Sequence, residues 1–132
     1  MKAYLTTSAA LLVGLVVGGI ATQGLHAQSK PMVYMISEID VTNPDKYATE
    51  YASKMQTVIK NAGGKLIVIG GVAGAGAKPV IALDGTAPKR VTVQVWESTE
   101  ALKKWYDSAE RQELQKVGDQ HAKFRRFAVE GQ

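Results

Sequence analysis

The chain of 132 residues contains no cysteine. No disulfide can brace the fold, no lipid can be attached through a thiol, and no thiolate can hold a metal. Histidine is nearly as scarce, with only His26 and His121. A nitrogen-rich metal cluster within one subunit is therefore excluded, and a Ser-His-Asp arrangement is unreadable. Haem would have to take His121 as its axial ligand. No cofactor is expected. Long apolar runs are also missing. The longest, Ala9 to Ile20, has twelve residues, where a bilayer span needs ~20.

That short run has a different meaning. It follows Met1 and Lys2 and leads to Leu25-His26-Ala27-Gln28, the pattern of a secretory signal peptide cut between Ala27 and Gln28. The alternative is an uncleaved anchor. No twin arginine is present, which favours the general secretory route. The expected product is exported, periplasmic or secreted, with no membrane attachment once the signal is removed. The chain then divides into a signal peptide (1–27), a short segment (28–31) and one domain (32–131). Lys2 leaves with the signal, so fifteen basic residues face twelve acidic ones. The basic residues come as scattered pairs, Lys89-Arg90, Lys103-Lys104 and Arg125-Arg126, with acids between them. This is a mixed solvated surface, and nucleic acid is not expected as a partner.

Hydrophobic periodicity predicts six elements. Met32 to Asp40 reads as a strand. Asn43 suits a helix N-cap and Pro44 the first helical position. Tyr47, Tyr51, Met55, Val58, Ile59 and Ala62 then recur at helical spacing, until Gly63-Gly64 ends the helix. Lys65 to Ile69 is a short strand and Gly70 to Lys78 a loop. Pro79 to Leu83 is expected as a brief edge strand, with a turn at Asp84-Gly85. Arg90 to Trp96 alternates at period two. Ser98 caps a second helix whose stripe runs through Leu102, Trp105, Tyr106, Ala109, Leu114, Val117 and His121, with a break near Ser108. Phe124 to Glu130 closes the chain as a strand. The order βαββαβ predicts an α+β, ferredoxin-like fold: a four-stranded, mainly antiparallel sheet with two helices on one face.

Asp40-Val41-Thr42-Asn43-Pro44 with Tyr47 and Tyr51, then Gly63-Gly64, Arg90 on a valine-rich strand, Trp105-Tyr106-Asp107-Ser108 and Val129-Glu130-Gly131 follow one another in an order that resembles the domain of unknown function 1330 family. The resemblance covers about residues 32–131. It implies a dimeric α/β barrel, a group with small monooxygenases and isomerases among its members, and no settled activity. The sequence departs from the family pattern at Ala109 and Arg111, in the loop Gly70 to Lys78, and at His121.

Read for chemistry, the loop Gly70 to Lys78 is not a phosphate loop, because Lys78 is followed by Pro79 and no helix opens there. Glu38 and Glu97 could act as a carboxylate pair only if the strands bring them together. Tyr47 and Tyr51 lie on one helix face, and Trp105 and His121 lie on the other helix. These four are the candidate ligand-binding residues, each with an apolar body and a polar tip. The plain alternative makes them core. Two functions remain open: a small-ligand or interaction module, and a cofactor-free enzyme acting on a small organic molecule. A homodimer is expected through the uncovered sheet face. The expectation is that the helices cover Val91, Val93 and Val95, leaving Tyr34, Ile36 and Trp96 on the other side.

Overall fold

The computed structural model describes residues 30–73 and 76–132. The expected signal peptide and the junction Ala27–Gln28 lie outside the described residues. The elements run β1 (Val33–Val41), α1 (Pro44–Lys46), a π-helical segment (Tyr47–Ala52), α2 (Ser53–Asn61), β2 (Lys65–Gly71), β3 (Arg90–Trp96), α3 (Thr99–Tyr106), α4 (Ala109–Asp119) and β4 (Ala122–Glu130). The sheet order is β2-β3-β1-β4, with every neighbouring pair antiparallel. This is the ferredoxin-like topology of the dimeric α/β barrel type.

Local chemistry sets the helix ends. The Asn43 side chain accepts from the Lys46 N–H and Pro44 takes the first turn, so an otherwise orphaned donor is satisfied. Ser98 caps α3 through the Ala101 N–H, and Ser108 caps α4 through the Arg111 N–H. The expected break near Ser108 is therefore a second N-cap. The first helix is not uniform. Between Tyr47 and Ala52 its bonds reach one residue further, as in the Ser53 N–H to the Ala48 carbonyl, which is a π-turn. Gly64 is required at the end of α2, because a Cβ there would lie 2.5 Å from the Trp96 ring.

The sheet corrects the expectation about its faces. Antiparallel partners project to the same side. Tyr34 pairs with Val95, Ile36 with Val93 and Glu38 with Val91. The valines and the Tyr34–Ile36 stripe therefore share one face, and that face is the open one. Val33, Met35, Ser37 and Ile39 meet the helices together with Arg90, Thr92, Gln94 and Trp96, all of them buried. Trp96 is fully buried and stacks on Trp105 at 5.1 Å between ring centroids, so it cannot belong to the open face. The most apolar stripe of β3 was the natural choice for core. The covered stripe of β3 is the polar one, and its Arg90, Thr92 and Gln94 line a cavity.

Pro79 to Leu83 forms no strand. Lys78 makes one isolated bridge to Gly70, and Pro79 has no N–H to continue a ladder. Ile81 and Leu83 consequently stand 80% and 89% exposed.

Candidate functional site

The π-turn brings Tyr47 and Tyr51 to 5.3 Å between ring centroids, both buried and both against Phe124 of β4. Beneath them lies a cavity of about 40 Å³, room for one or two water-sized groups, each with a share of ≈ 30 Å³. Its helical wall includes Tyr47, Tyr51, Met55 and Trp105. The sheet contributes Ser37, Arg90, Thr92 and Gln94, and β4 contributes Phe124 and Arg126. Three of the four residues singled out from the sequence thus line one space. No carboxylate lines it.

The polar groups here are mostly donors. Arg90 donates from Nη1 to the carbonyls of Val72 (2.9 Å) and Ala73, and lies over the Tyr47 ring. Its Nε is buried without a partner, as are Trp105 Nε1 and Arg111 Nε. The Tyr51 hydroxyl donates to Gln115 Oε1 at 3.1 Å and accepts from Arg126 Nη2 at 3.2 Å. Burial pushes the Tyr51 phenol up to about 12, against the pull of the Arg126 charge. Burial raises Tyr47 as well, with Arg90 opposing. Both phenols therefore stay protonated near neutral pH.

His121 is elsewhere. Its Nε2 lies 2.9 Å from Glu50 Oε2, and it does not line the cavity. Its carbonyl accepts from the Thr42 and Asn43 N–H groups and from the Thr42 hydroxyl. It pins the start of β4 to the π-helical segment and to the end of β1, which is a structural task. Glu38 and Glu97 are not brought together. Glu38 sits opposite Val91 and is held by Arg125 at 2.9 Å. Glu97 follows Trp96, roughly 20 Å further along the strand at ~3.3 Å per residue. Among the described residues no group of three His, Asp or Glu side chains is placed to hold a metal.

A larger open groove of about 630 Å³ lies beside β1 and the segment 86–89. Two of its three cations are paired within it, Lys89 with Asp40 at 2.6 Å and Arg125 with Glu38, and Lys123 is the third. The smaller cavity is taken as the candidate because its aromatic and donor side chains are buried.

Sequence reasoning missed Arg90, Arg126, Arg111 and Gln115. The signal for two of them was present. Period-two alternation puts Arg90 on the same face as Trp96, and Arg126 on the same face as Phe124. Nothing in the spacing says that Arg111 and Gln115 of α4 turn toward Tyr51.

Comparisons with known proteins agree with this architecture. Residues 32–132 match the model of a domain of unknown function, DUF1330. A comparison with the curated proteins finds no match. Among solved structures, a protein of unknown function from Rhodopseudomonas palustris is 16% identical with a TM-score of 0.59, over 86% of this chain and 93% of that one. SnoaB from Streptomyces nogalater, described as a cofactor-independent oxygenase, is 8% identical with a TM-score of 0.56, over 78% and 95%. A conserved protein of unknown function from Bacteroides thetaiotaomicron, described as a possible oxidoreductase, is 13% identical with a TM-score of 0.51, over 76% and 98%. At these identities the likeness is one of fold.

Proposed function

We propose that this chain, which belongs to the domain of unknown function 1330 family, is a homodimeric small-molecule-binding protein that takes its ligand in the cavity under Tyr47 and Tyr51. The observation that carries the reading is the lining: aromatic walls, buried donors left without acceptors, and no acid. Unsatisfied buried donors cost on the order of 1–3 kcal/mol each, and a ligand that accepts from them recovers that cost.

The dimer reading rests on the open face. Tyr34, Ile36, Val91, Val93 and Val95 are only half-buried there, and Phe127 and Val129 are 44% and 57% exposed. A contiguous apolar sheet face is rarely left in water. A second copy is the occupant favoured, since two such flat faces are self-complementary about a two-fold axis. Sedimentation of the protein at micromolar concentration should give a dimer, and a monomer overturns this part. Export is proposed from the amino-terminal segment, with cleavage before Gln28. An intact full-length mass from the envelope fraction overturns that.

A second reading, a cofactor-free enzyme for a small organic molecule, has in its favour the fold shared with SnoaB. The cavity supplies donors, but no carboxylate or imidazole to take a proton, so binding is the better reading. Native mass spectrometry of the folded protein, set against its denatured mass, tests for a bound molecule. Thermal melts with a panel of neutral and anionic small molecules test the same cavity. A folded protein that carries no adduct and that no panel member stabilises overturns the reading.

A further inference from the structure

Just outside the cavity, behind Tyr51 and Arg126 of its lining, two guanidinium groups converge on a neutral oxygen. Gln115 Oε1 accepts from Arg126 Nη2 at 2.7 Å, from the Tyr51 hydroxyl at 3.1 Å and from Arg111 Nη2 at 3.3 Å. An amide oxygen has two lone pairs and no charge, so three donors, two of them cationic, are more than it can satisfy. The amide cannot be turned over, because its NH₂ would then face both guanidiniums. Its Nε2 is in any case held by Asp119 Oδ1 at 2.8 Å. Gln115 thus works as a spacer that keeps the Asp119 carboxylate one amide away from the arginines.

Neither arginine is neutralised in another way by the neighbouring acids. Glu38, Asp40, Glu50 and Glu113 are held by Arg125, Lys89, His121 and Lys116. Arg111 is only 6% exposed, its Nε has no partner, and its other bond is to the Tyr106 carbonyl at 3.2 Å. Its guanidinium plane lies 3.9 Å from the Tyr106 ring centroid, which fixes its position. Arg126 lies 4.1 Å from the Phe124 ring centroid. Arg90, buried like Arg111, joins Arg126 as the second positive charge of the lining. Like charges held together away from water repel, and an anion between them converts that repulsion into charge-assisted hydrogen bonds. Arginine is suited to this because its planar fork matches two oxygens of one acid.

We propose that the ligand is a small organic carboxylate whose head group binds between Arg126 and Arg111 with the Tyr51 hydroxyl as third donor, displacing the Gln115 amide, and whose body lies against Tyr47, Met55 and Trp105. The proposal rests on the reading of the cavity as a ligand site. A carboxylate suits the space better than a phosphate ester, since about 40 Å³ leaves little room for a tetrahedral head and a body together.

The test uses formate and acetate, their neutral counterparts formamide and acetamide, and inorganic phosphate, all at one ionic strength. Thermal melts and the emission of the two tryptophans, Trp96 and Trp105, report binding. The acids should raise the melting temperature and change the emission, and the amides should bind at least tenfold more weakly. Arg126→Gln should weaken the acids tenfold or more and leave the amides unchanged. A reading without ligand comes from Gln115→Glu in an Asp119→Asn background, which places a carboxylate of the chain itself between the arginines. It should melt higher than Asp119→Asn alone and no longer bind the acids. Amides that bind as well as acids, phosphate that binds as well as acetate, or a Gln115→Glu change that lowers the melting temperature overturns the carboxylate proposal and leaves the cavity as a site. A panel in which nothing binds overturns the site itself, whatever Gln115→Glu does.

Discussion

On β3 the side chains that meet the helices are Arg90, Thr92, Gln94 and Trp96, while those turned away are Val91, Val93 and Val95. On this strand the covered stripe is more polar than the bare one, the reverse of the usual pattern for a sheet with one solvated face, whereas β1 keeps that pattern with Val33, Met35, Ile39 and Val41 buried. Each half of the inversion has its own meaning. Polar groups are costly to bury, and here three donor atoms are buried with no partner, which fits a face that holds a ligand. Valines in water are a liability at a sheet surface, which fits a face that meets another copy.

The covered face should be the more sensitive to truncation. Trp96→Ala removes a side chain with no exposure, stacked on Trp105, and should cost about 3–5 kcal/mol in urea unfolding. Val93→Ala, three residues upstream on β3 and on the opposite face, should change the stability of the isolated subunit by no more than about 0.5 kcal/mol. Equal costs for the two would erase the distinction between the faces.

The open face should fail in assembly and not in folding. Ile36 lies between Val93 and Phe127 in the sheet. Ile36→Lys places one uncompensated charge per subunit in the apolar patch, so a symmetric contact receives two. The dimer should weaken at least a hundredfold, about 2.7 kcal/mol, with an unchanged far-ultraviolet spectrum. A variant that sediments like the unaltered protein removes this face as the contact.

Much of the fold was readable because its signals are local. Asn43-Pro44, Gly63-Gly64, Ser98 and Ser108 mark helix ends through their own hydrogen bonds or backbone angles. The face assignment failed because it depends on register. The sequence shows that β3 alternates, but only pairing with β1 tells which stripe joins Tyr34 and Ile36. The site was legible in part for a similar reason. Tyr47, Tyr51 and Trp105 followed from helical spacing toward a core. Arg111 was visible only as a departure from the family pattern, and its meeting with Arg126 needs α4 and β4 to be placed together. His121 fell on the expected stripe, yet its partner Glu50 is 71 residues away and belongs to no motif.

Within the covered side, Tyr51→Phe measures what one hydroxyl contributes. Gln115 keeps both arginine donors and Arg126 keeps Gln115, so no partner is orphaned, and the loss should be about 1 kcal/mol. The difference shrinks at high pH. The fold raises this phenol from 10.0 to about 12, so the native state holds the proton more tightly than the unfolded chain. That contribution is complete below pH 10 and is lost as pH rises through 12. Tyr51→Phe cannot lose it, and the two stability curves should converge in alkali. Curves that stay parallel would mean that the hydroxyl is not buried as described.

The smallest effect expected is that of the Glu50–His121 pair, and it separates the two sides of the sheet by pH. Two ion pairs differ in burial: Glu50 with His121 beside the π-helical segment, and Arg125 with Glu38 on the open face. In the first, the His121 side chain is 9% exposed, so the contact has a fixed position, whereas Arg125 in the second is 75% exposed and such pairs contribute about 0–1 kcal/mol. The hydrogen bond from His121 holds the Glu50 carboxyl below its ordinary value of 4.5. A depressed acid stabilises the fold fully above its unfolded value, and the contribution is lost as pH falls through the lower folded value. Glu50→Gln should therefore be less stable than the unaltered protein near pH 6 and equal to it in acid below the carboxylate range. A double-mutant cycle with His121→Gln isolates the pair, since the His121 backbone carbonyl keeps its bonds to Thr42 and Asn43 in both variants. Because Glu50 precedes Tyr51, loss of the pair should also weaken acetate binding slightly, through the position of the phenol. A coupling energy that does not change between pH 3 and pH 7 would show that the Glu50–His121 contact is not what sets the π-turn in place.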